Sequence, residues 1–363
     1  MKKKIMCLAM SVAVAATVFS GCGSSDSAQE TTSKTESQSE SVQDESVQAE
    51  SAQADSESDE AEEGYTFTVS IDRNEQGLII DETVTEVPTH VVCSGFQMAG
   101  MLCDLGQEDK IVGVLTSRPE SWNTSYAPGV SEKLGQLEVL GTANDVSKEQ
   151  ILALECDFLM GWDSTFSDKR YDVDFCQSND IIMYPPYCTY DSAASMDDIY
   201  KDYETLGHIF DCEEVAQEKI AEMKKVVAEV EEVLKDVEEP ITILNYDSGE
   251  DDVFTACQGM PGAIFKYAGG ISIFDDIEKG WARVSWEEIV DRNPSVIIIN
   301  NYSGTEEEAQ SSCDFLLSVS AIKDIDAIKN DKIYAVNLDD MEGSAGTAYL
   351  IKELAQILYP EKF

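Results

Sequence analysis

Seven apolar residues, Ala216, Ile220, Met223, Val227, Val230, Leu234 and Val237, recur at spacings of 4, 3, 4, 3, 4 and 3. That period draws one apolar stripe along a single helix. Asp211 and Glu214 form a D-x-x-E pair at its start, which predicts a capping box. Pro240 ends the pattern. The helix expected over residues 211–237 would be roughly 39 Å long at about 1.5 Å per residue. Taken alone, such a stripe suits a surface helix or a short coiled-coil arm as well as a spine joining two halves of a molecule. The flanking pattern favours the spine.

Length and charge bound the rest. The chain has 363 residues and a formal charge of −46 at pH 7. That length allows about two domains with a sizeable core. The acidity argues against nucleic acid as a partner, because counterion release needs clustered Lys and Arg. Ten Cys occur without a C-x-x-C pair, and eight of them are scattered among apolar residues beyond the N-terminal segment. They read as small buried hydrophobes rather than as a disulfide framework.

Residues 1–22 read as an export signal. Lys2, Lys3 and Lys4 precede an apolar core over residues 5–18, too short for a comfortable membrane span. The end, Val18-Phe19-Ser20-Gly21-Cys22, resembles a bacterial lipobox. Small residues before Cys22 would allow lipid transfer to its thiol, making Cys22 the membrane anchor. Plain secretion with a nearby cut is the alternative. Residues 23–64 hold 13 Asp or Glu, one Lys and no aromatic residue. Such a segment buries too little apolar surface to offset its ordering and is expected to be a disordered tether.

The folded part is expected from Tyr65 onward. Residues 65–72 and 77–82 alternate around Asn74-Glu75-Gln76-Gly77 and predict a hairpin. An α/β rhythm follows. Strands are expected at 89–94, 111–115, 158–162, 181–184, 241–247, 295–300 and 332–336. Helices are expected at 97–105, 147–155, 195–210, 262–267, 285–292, 306–317 and about 344–358. This alternation predicts an α/β fold with two Rossmann-like lobes, each with a parallel sheet, joined by the spine. The expected divisions are a first lobe at 65–194, connecting helices at 195–239 and a second lobe at 240–363.

Two segments match across the spine. Val146-Ser147-Lys148-Glu149-Gln150-Ile151-Leu152 leads to Asp157 and the strand Phe158-Leu159-Met160-Gly161. Val284-Ser285-Trp286-Glu287-Glu288-Ile289-Val290 leads to Pro294 and the strand Val296-Ile297-Ile298-Ile299. Each reads as a Ser-capped helix running into a buried strand, with Gln150 and Glu288 closing the capping boxes. Each lobe therefore presents one carboxylate, Glu149 or Glu287, in a first helical turn. An acid there complements the helix dipole and needs no partner. Its recurrence at the same place in both lobes points to a shared use.

The whole of residues 65–363 resembles the class III substrate-binding proteins of ABC importers. The resemblance is carried by Val91-Val92-Cys93-Ser94 up to Leu105-Gly106, by Ile111-Val112-Gly113-Val114, and by the two Ser-x-Glu helices. Ala268-Gly269-Gly270 before Ile271-Ser272-Ile273-Phe274, and Ile333-Tyr334-Ala335-Val336 before the final helix, complete it. It implies a ferric siderophore, cobalamin or haem as cargo. It also implies that Glu149 and Glu287 dock on arginines of a membrane permease. The chain departs from the family pattern at Ala99-Gly100, where a Thr-Glu pair is common, and at Cys156 and Ser295.

Ligands of open parallel sheets bind beyond the carboxyl ends of the strands. Two facing lobes would make a cleft there. In the first lobe the loops so placed hold Ser94, Gly95, Phe96, Arg118, Trp122, Trp162, Asp163 and Tyr187. In the second they hold Tyr246, Asp247, Trp281, Arg283, Asn301, Tyr302 and Met341. The aromatic residues suit a bulky chelate or macrocycle, though each could instead pack within its own lobe. Arg118 and Arg283 would meet an anionic group on the ligand, or pair with a neighbouring acid such as Glu120 or Asp163.

His90 and His208 are the only two His and read as structural, so no site for a bare metal ion is apparent. Ser-His-Asp chemistry and nucleotide binding have no motif either. The expected function is capture of a chelated-iron ligand, a ferric siderophore foremost, by a lipid-anchored monomer that hands it to an ABC permease. No resident cofactor is expected. Cobalamin or haem is the alternative cargo. A chelatase-like enzyme using Asp163 and Asp247, or a surface protein that binds a macromolecule, is the alternative class.

Overall fold

The computed structural model describes residues 64–71, 78–189 and 193–363. The export signal, Cys22 and the acidic tether lie outside the described residues, as does the turn expected at 74–77. From Gly64 onward these residues belong to one unit.

β1 (Tyr65–Ile71) and β2 (Leu78–Val84) pair antiparallel as a hairpin. The first lobe then alternates β3 (Val91–Cys93), α1 (Phe96–Asp104), β4 (Ile111–Leu115), α2 (Val130–Leu134) and β5 (Val139–Gly141). It continues with α3 (Lys148–Ala153), β6 (Phe158–Met160), α4 (Val173–Ser178) and β7 (Ile182–Tyr184). These strands form one sheet in the order β5-β4-β3-β6-β7, parallel throughout. β3 and β6 are buried along their whole length because helices cover both faces.

Two helices follow, α5 (Met196–Ile209) and the spine, α6 (Glu213–Leu234). The spine buries Ala216, Ile220, Met223, Val227, Val230 and Leu234, six of the seven stripe residues read from the sequence, and ends at Leu234, so that Val237 lies past it, half-buried. Its start differs from the expectation. Asp211 does not cap it; Cys212 stands at the N-cap without a side-chain bond. Asp211 instead has φ of 53° and closes α5. The Cys212 amide donates to Gly207 at 2.8 Å and the Asp211 amide to His208 at 3.5 Å. That pair of bonds is a Schellman ending, in which the left-handed residue is tolerated when it is Gly, Asn or Asp.

The second lobe runs β8 (Ile241–Tyr246), β9 (Val253–Ala256), α7 (Gly259–Tyr267), β10 (Gly270–Ser272) and β11 (Trp281–Val284). Then come α8 (Trp286–Arg292), β12 (Val296–Asn301), α9 (Glu306–Ser318), α10 (Asp326–Lys329) and β13 (Ile333–Asn337). Its parallel sheet has the order β10-β8-β12-β13. β9 and β11 pair antiparallel beside it, a pairing that spans α7 and β10 and leaves no local signal in the sequence. The closing helix expected at about 344–358 is α12 (Thr347–Leu358), and a short unexpected helix, α11 (Leu338–Met341), stands before it across a break. The Thr347 and Ser344 hydroxyls bond back to Asp340 and fix the break.

The spine is tied to both lobes. Near its start Lys219 pairs with Asp104 at the end of α1, 2.9 Å away. Near its end Lys352 of α12 pairs with Glu229, also at 2.9 Å. Gly269, before β10, has φ of +81°, and a Cβ there would come within 2.8 Å of the Tyr359 ring and 3.0 Å of Leu234. Only Gly lets the spine's last turn close against the second lobe.

Candidate functional site

The carboxyl ends of the two sheets meet. Arg118 follows β4, Asp247 follows β8, Tyr302 follows β12, and Asp339 lies just beyond β13. The Arg118 guanidinium sits 2.7 Å from Asp339 and 3.5 Å from Glu342. It lies over the Tyr302 ring, 5.6 Å from its centre. The Tyr302 hydroxyl donates to Asp247 Oδ2 at 2.7 Å, and Asn300 Nδ2 donates to Asp247 Oδ1 at 3.0 Å. On the first-lobe side Ser121 donates to Asp339 at 2.7 Å, and the Tyr126 amide donates to Asp340 at 2.9 Å.

Topology explains why these residues converge. In the second sheet the strand order reverses between β8 and β12, the point where neighbouring loops leave in opposite directions. Register places Ile299 beside Tyr246, so the next residues, Asn300 and Asp247, reach each other. In the first sheet the reversal lies between β3 and β6. There the Thr165 hydroxyl meets Ser94 at 3.3 Å.

Burial governs the electrostatics. It disfavours the Arg118 charge, but Asp339 and Glu342 outweigh it and raise the guanidinium pKa. It pushes the Asp339 carboxyl up against the opposing pull of Arg118. It pushes Glu342 up to about 7 and Asp340 to about 6. Arg118 therefore does not stand open for a ligand anion, as an unpaired lip residue would. Its partners are also not the acids foreseen from the sequence.

The other expected site residues are spread over different settings. Phe96 is only 2% exposed and Tyr246 6%; both are core residues. Tyr246 packs against Trp286 and Phe315, which also meet each other. Trp122 is half-buried against Gly135. Tyr187 reaches the β1 carbonyl of Thr68 at 3.2 Å, and Lys201 lies over its ring. Trp281 stacks on Phe254, and Arg283 is exposed and paired with Asp252 at 2.6 Å. Trp162 and Asp163 open the short turn after β6. Asn301 bonds its own loop at Thr305 and Gly304, and Met341 is fully buried. Asp339, Asp340 and Glu342 were not foreseen. The rule that selected Met341 would have found them, because they follow the same strand end.

The matched pair of helices is as expected in form. Ser147 and Gln150 close one capping box, and Ser285 and Glu288 the other. Glu149 and Glu287 are both exposed in the first turns. His90 lies beside Thr89 and His208 beside Glu213, neither at the strand ends that meet. Among the described residues no group of three or more His, Cys, Asp or Glu is arranged to hold a metal ion. The eight Cys of the described residues form no disulfide, and all but the half-buried Cys212 are buried. A groove between the spine and α7, lined by Leu234, Lys266 and Tyr267, borders the amino end of β10 and is remote from these strand ends by topology.

A family model described as periplasmic binding protein matches residues 91–338, from the first strand of the first sheet to just beyond the last strand of the second. The chain belongs to the periplasmic binding protein family. Members of this family are the extracytoplasmic substrate-binding components of ABC importers, and they bind a small molecule and deliver it to a permease. The chain is similar to the vitamin B12-binding protein of Vibrio cholerae, 23% identical over 62% of this chain and 81% of that one. It is similar to the uncharacterized ABC transporter substrate-binding lipoprotein YvrC of Bacillus subtilis, 23% identical over 78% of this chain and 84% of that one. Among solved structures, an ABC-type Fe3+-hydroxamate transport protein of Saccharomonospora viridis superposes with a TM-score of 0.65. It is 19% identical and covers 80% of this chain and 99% of its own.

Proposed function

We propose that this periplasmic binding protein captures a metal chelate in the cleft between its lobes, a ferric siderophore foremost, and delivers it to an ABC permease. The meeting of the two sheets' carboxyl ends at Arg118, Asp339, Tyr302 and Asp247 carries this reading. Parallel sheets present their ligand sites at those ends. Trp162, Trp281 and Tyr302, each half-buried in a strand-end loop or strand, supply flat polarisable surface for a bulky chelate. Trp122, Tyr246 and Arg283 have partners within their own lobes, whereas Phe96 lines the small cavity between the lobes beside Asp339. Cobalamin is the second reading, favoured by the likeness to the Vibrio cholerae protein. The protein works by binding alone, as a monomer. Glu149 and Glu287 align it on the permease, and Cys22 carries the lipid that holds it at the outer face of the membrane.

The deciding experiment is a calorimetric titration of the whole chain with ferric trihydroxamates, ferric tris-catecholates, cobalamin, haem and bare ferric ion. Saturable submicromolar binding of one chelate, and none of bare iron, is the expected result. A folded protein that binds no chelate would overturn the reading. Turnover of a bound tetrapyrrole would replace it with the enzyme. Replacement of Cys22 by Ser should release the protein from membranes; retention there would overturn the anchor.

A further inference from the structure

We infer that the cleft takes a chelate of positive or zero net charge and rejects polyanionic chelates. This rests on the proposed function and names the charge class of its ligand. The cluster where the sheets meet holds one guanidinium, Arg118, and four carboxylates, Asp247, Asp339, Asp340 and Glu342. Asp339 and Glu342 already occupy Arg118. Asp247 is 7% exposed, and its hydrogen bonds come from the neutral groups of Tyr302, Asn300 and Ser248. Burial moves Glu342 toward its neutral form. Even with Glu342 and Asp340 both neutral, Asp339 cancels Arg118 and Asp247 leaves one negative charge. A ligand anion would have to displace a buried carboxylate from its guanidinium, or face Asp247 with no cation between them.

Two further groups bear on what the ligand offers instead. Arg118 Nη1 is buried without a hydrogen-bond partner. Gln97 is 2% exposed, and neither atom of its amide has a hydrogen-bond partner. Gln97 lines a small cavity between the lobes together with Ser121, Asn337 and Asp339. Buried polar atoms without partners are uncommon and costly. An acceptor that adds no net charge, such as an amide oxygen or the carbonyl oxygen of a charge-neutral ferric trihydroxamate, would satisfy Nη1 without adding negative charge. Trihydroxamate chelates and corrinoids both offer such oxygens; tris-catecholates and haem present anionic ones.

The test is calorimetric titration of the whole chain with five probes. They are a cationic and a neutral ferric trihydroxamate, cyanocobalamin, a trianionic ferric tris-catecholate, and haem. One of the first three should bind about tenfold tighter, or more, than either anionic probe, since like charges brought together discriminate at least that strongly. Which of the three wins separates a siderophore from a corrinoid. Asp247→Asn should shrink the gap about threefold or more by admitting the anions. Glu342→Gln, checked for folding by circular dichroism, is the second variant and should shrink it in the same direction. Equal or tighter binding of an anionic probe would overturn the charge inference and leave chelate capture standing. So would an unchanged gap in both variants. No binding of any probe would overturn both.

Discussion

The Arg118 guanidinium, in the loop after β4, lies 2.7 Å from the carboxylate of Asp339, 221 positions later on the far side of the spine. Four contacts reinforce this one: Arg118 to Glu342, Ser121 to Asp339, Tyr126 to Asp340, and the Arg118 guanidinium over Tyr302. The two lobes are thus bridged by charge as well as by the spine.

Removing one partner of a buried ion pair leaves the other uncompensated. Arg118→Gln should therefore destabilise the protein by about 3 kcal/mol in urea unfolding. It should also let the lobes separate, read as a larger radius of gyration in solution scattering. Adding Asp339→Asn to Arg118→Gln should recover part of the lost stability. A fully additive double variant would mean that the two residues do not act as a pair.

Stability should fall as pH rises from about 5 to about 8, because several buried carboxyls hold protons more tightly folded than unfolded. Glu342 and Asp202 are pushed up to about 7 from 4.5 and 3.8, and Asp340 to about 6, in each case chiefly by burial. The stability they contribute is complete below their unfolded values and is lost as pH passes the folded ones. Carboxyls lowered in the fold, such as Asp172 and Glu229, act only below about pH 4.5 and do not offset this window. Urea midpoints across the range check the slope, and Glu342→Gln should flatten it.

Gly269→Ala should destabilise the junction of spine and second lobe by about 1–3 kcal/mol, through a left-handed backbone and contact with Tyr359. Gly280→Ala is the control, since a Cβ there meets nothing within 4 Å and its φ is not left-handed. Thermal unfolding of the two variants should separate them.

Glu149→Ala with Glu287→Ala should abolish uptake by cells while leaving chelate affinity unchanged. Both side chains are exposed, so the fold should tolerate their loss within about 0.5 kcal/mol. Uptake that survives would remove these residues from the docking contact.

Much of this molecule follows from local pattern. Six buried residues of the spine share one face because their spacing is helical, and that spacing is visible without coordinates. Ser147 and Ser285 cap their helices because the partner three residues on lies within reach in any helix. The α/β alternation fixed two parallel sheets for the same reason: short buried runs between helices have no other economical arrangement. Tertiary structure decided what those patterns could not reach. Asp211 closes the helix before the spine instead of opening the spine, because Gly207 and His208 compete for the same turn. The β9–β11 pairing joins segments held apart in sequence by a helix and a strand. The partners of Arg118 are Asp339 and Glu342 because two sheets, each predictable alone, bring their carboxyl ends together. Charge pairing across a cleft depends on distance in space, and no spacing along the chain encodes it.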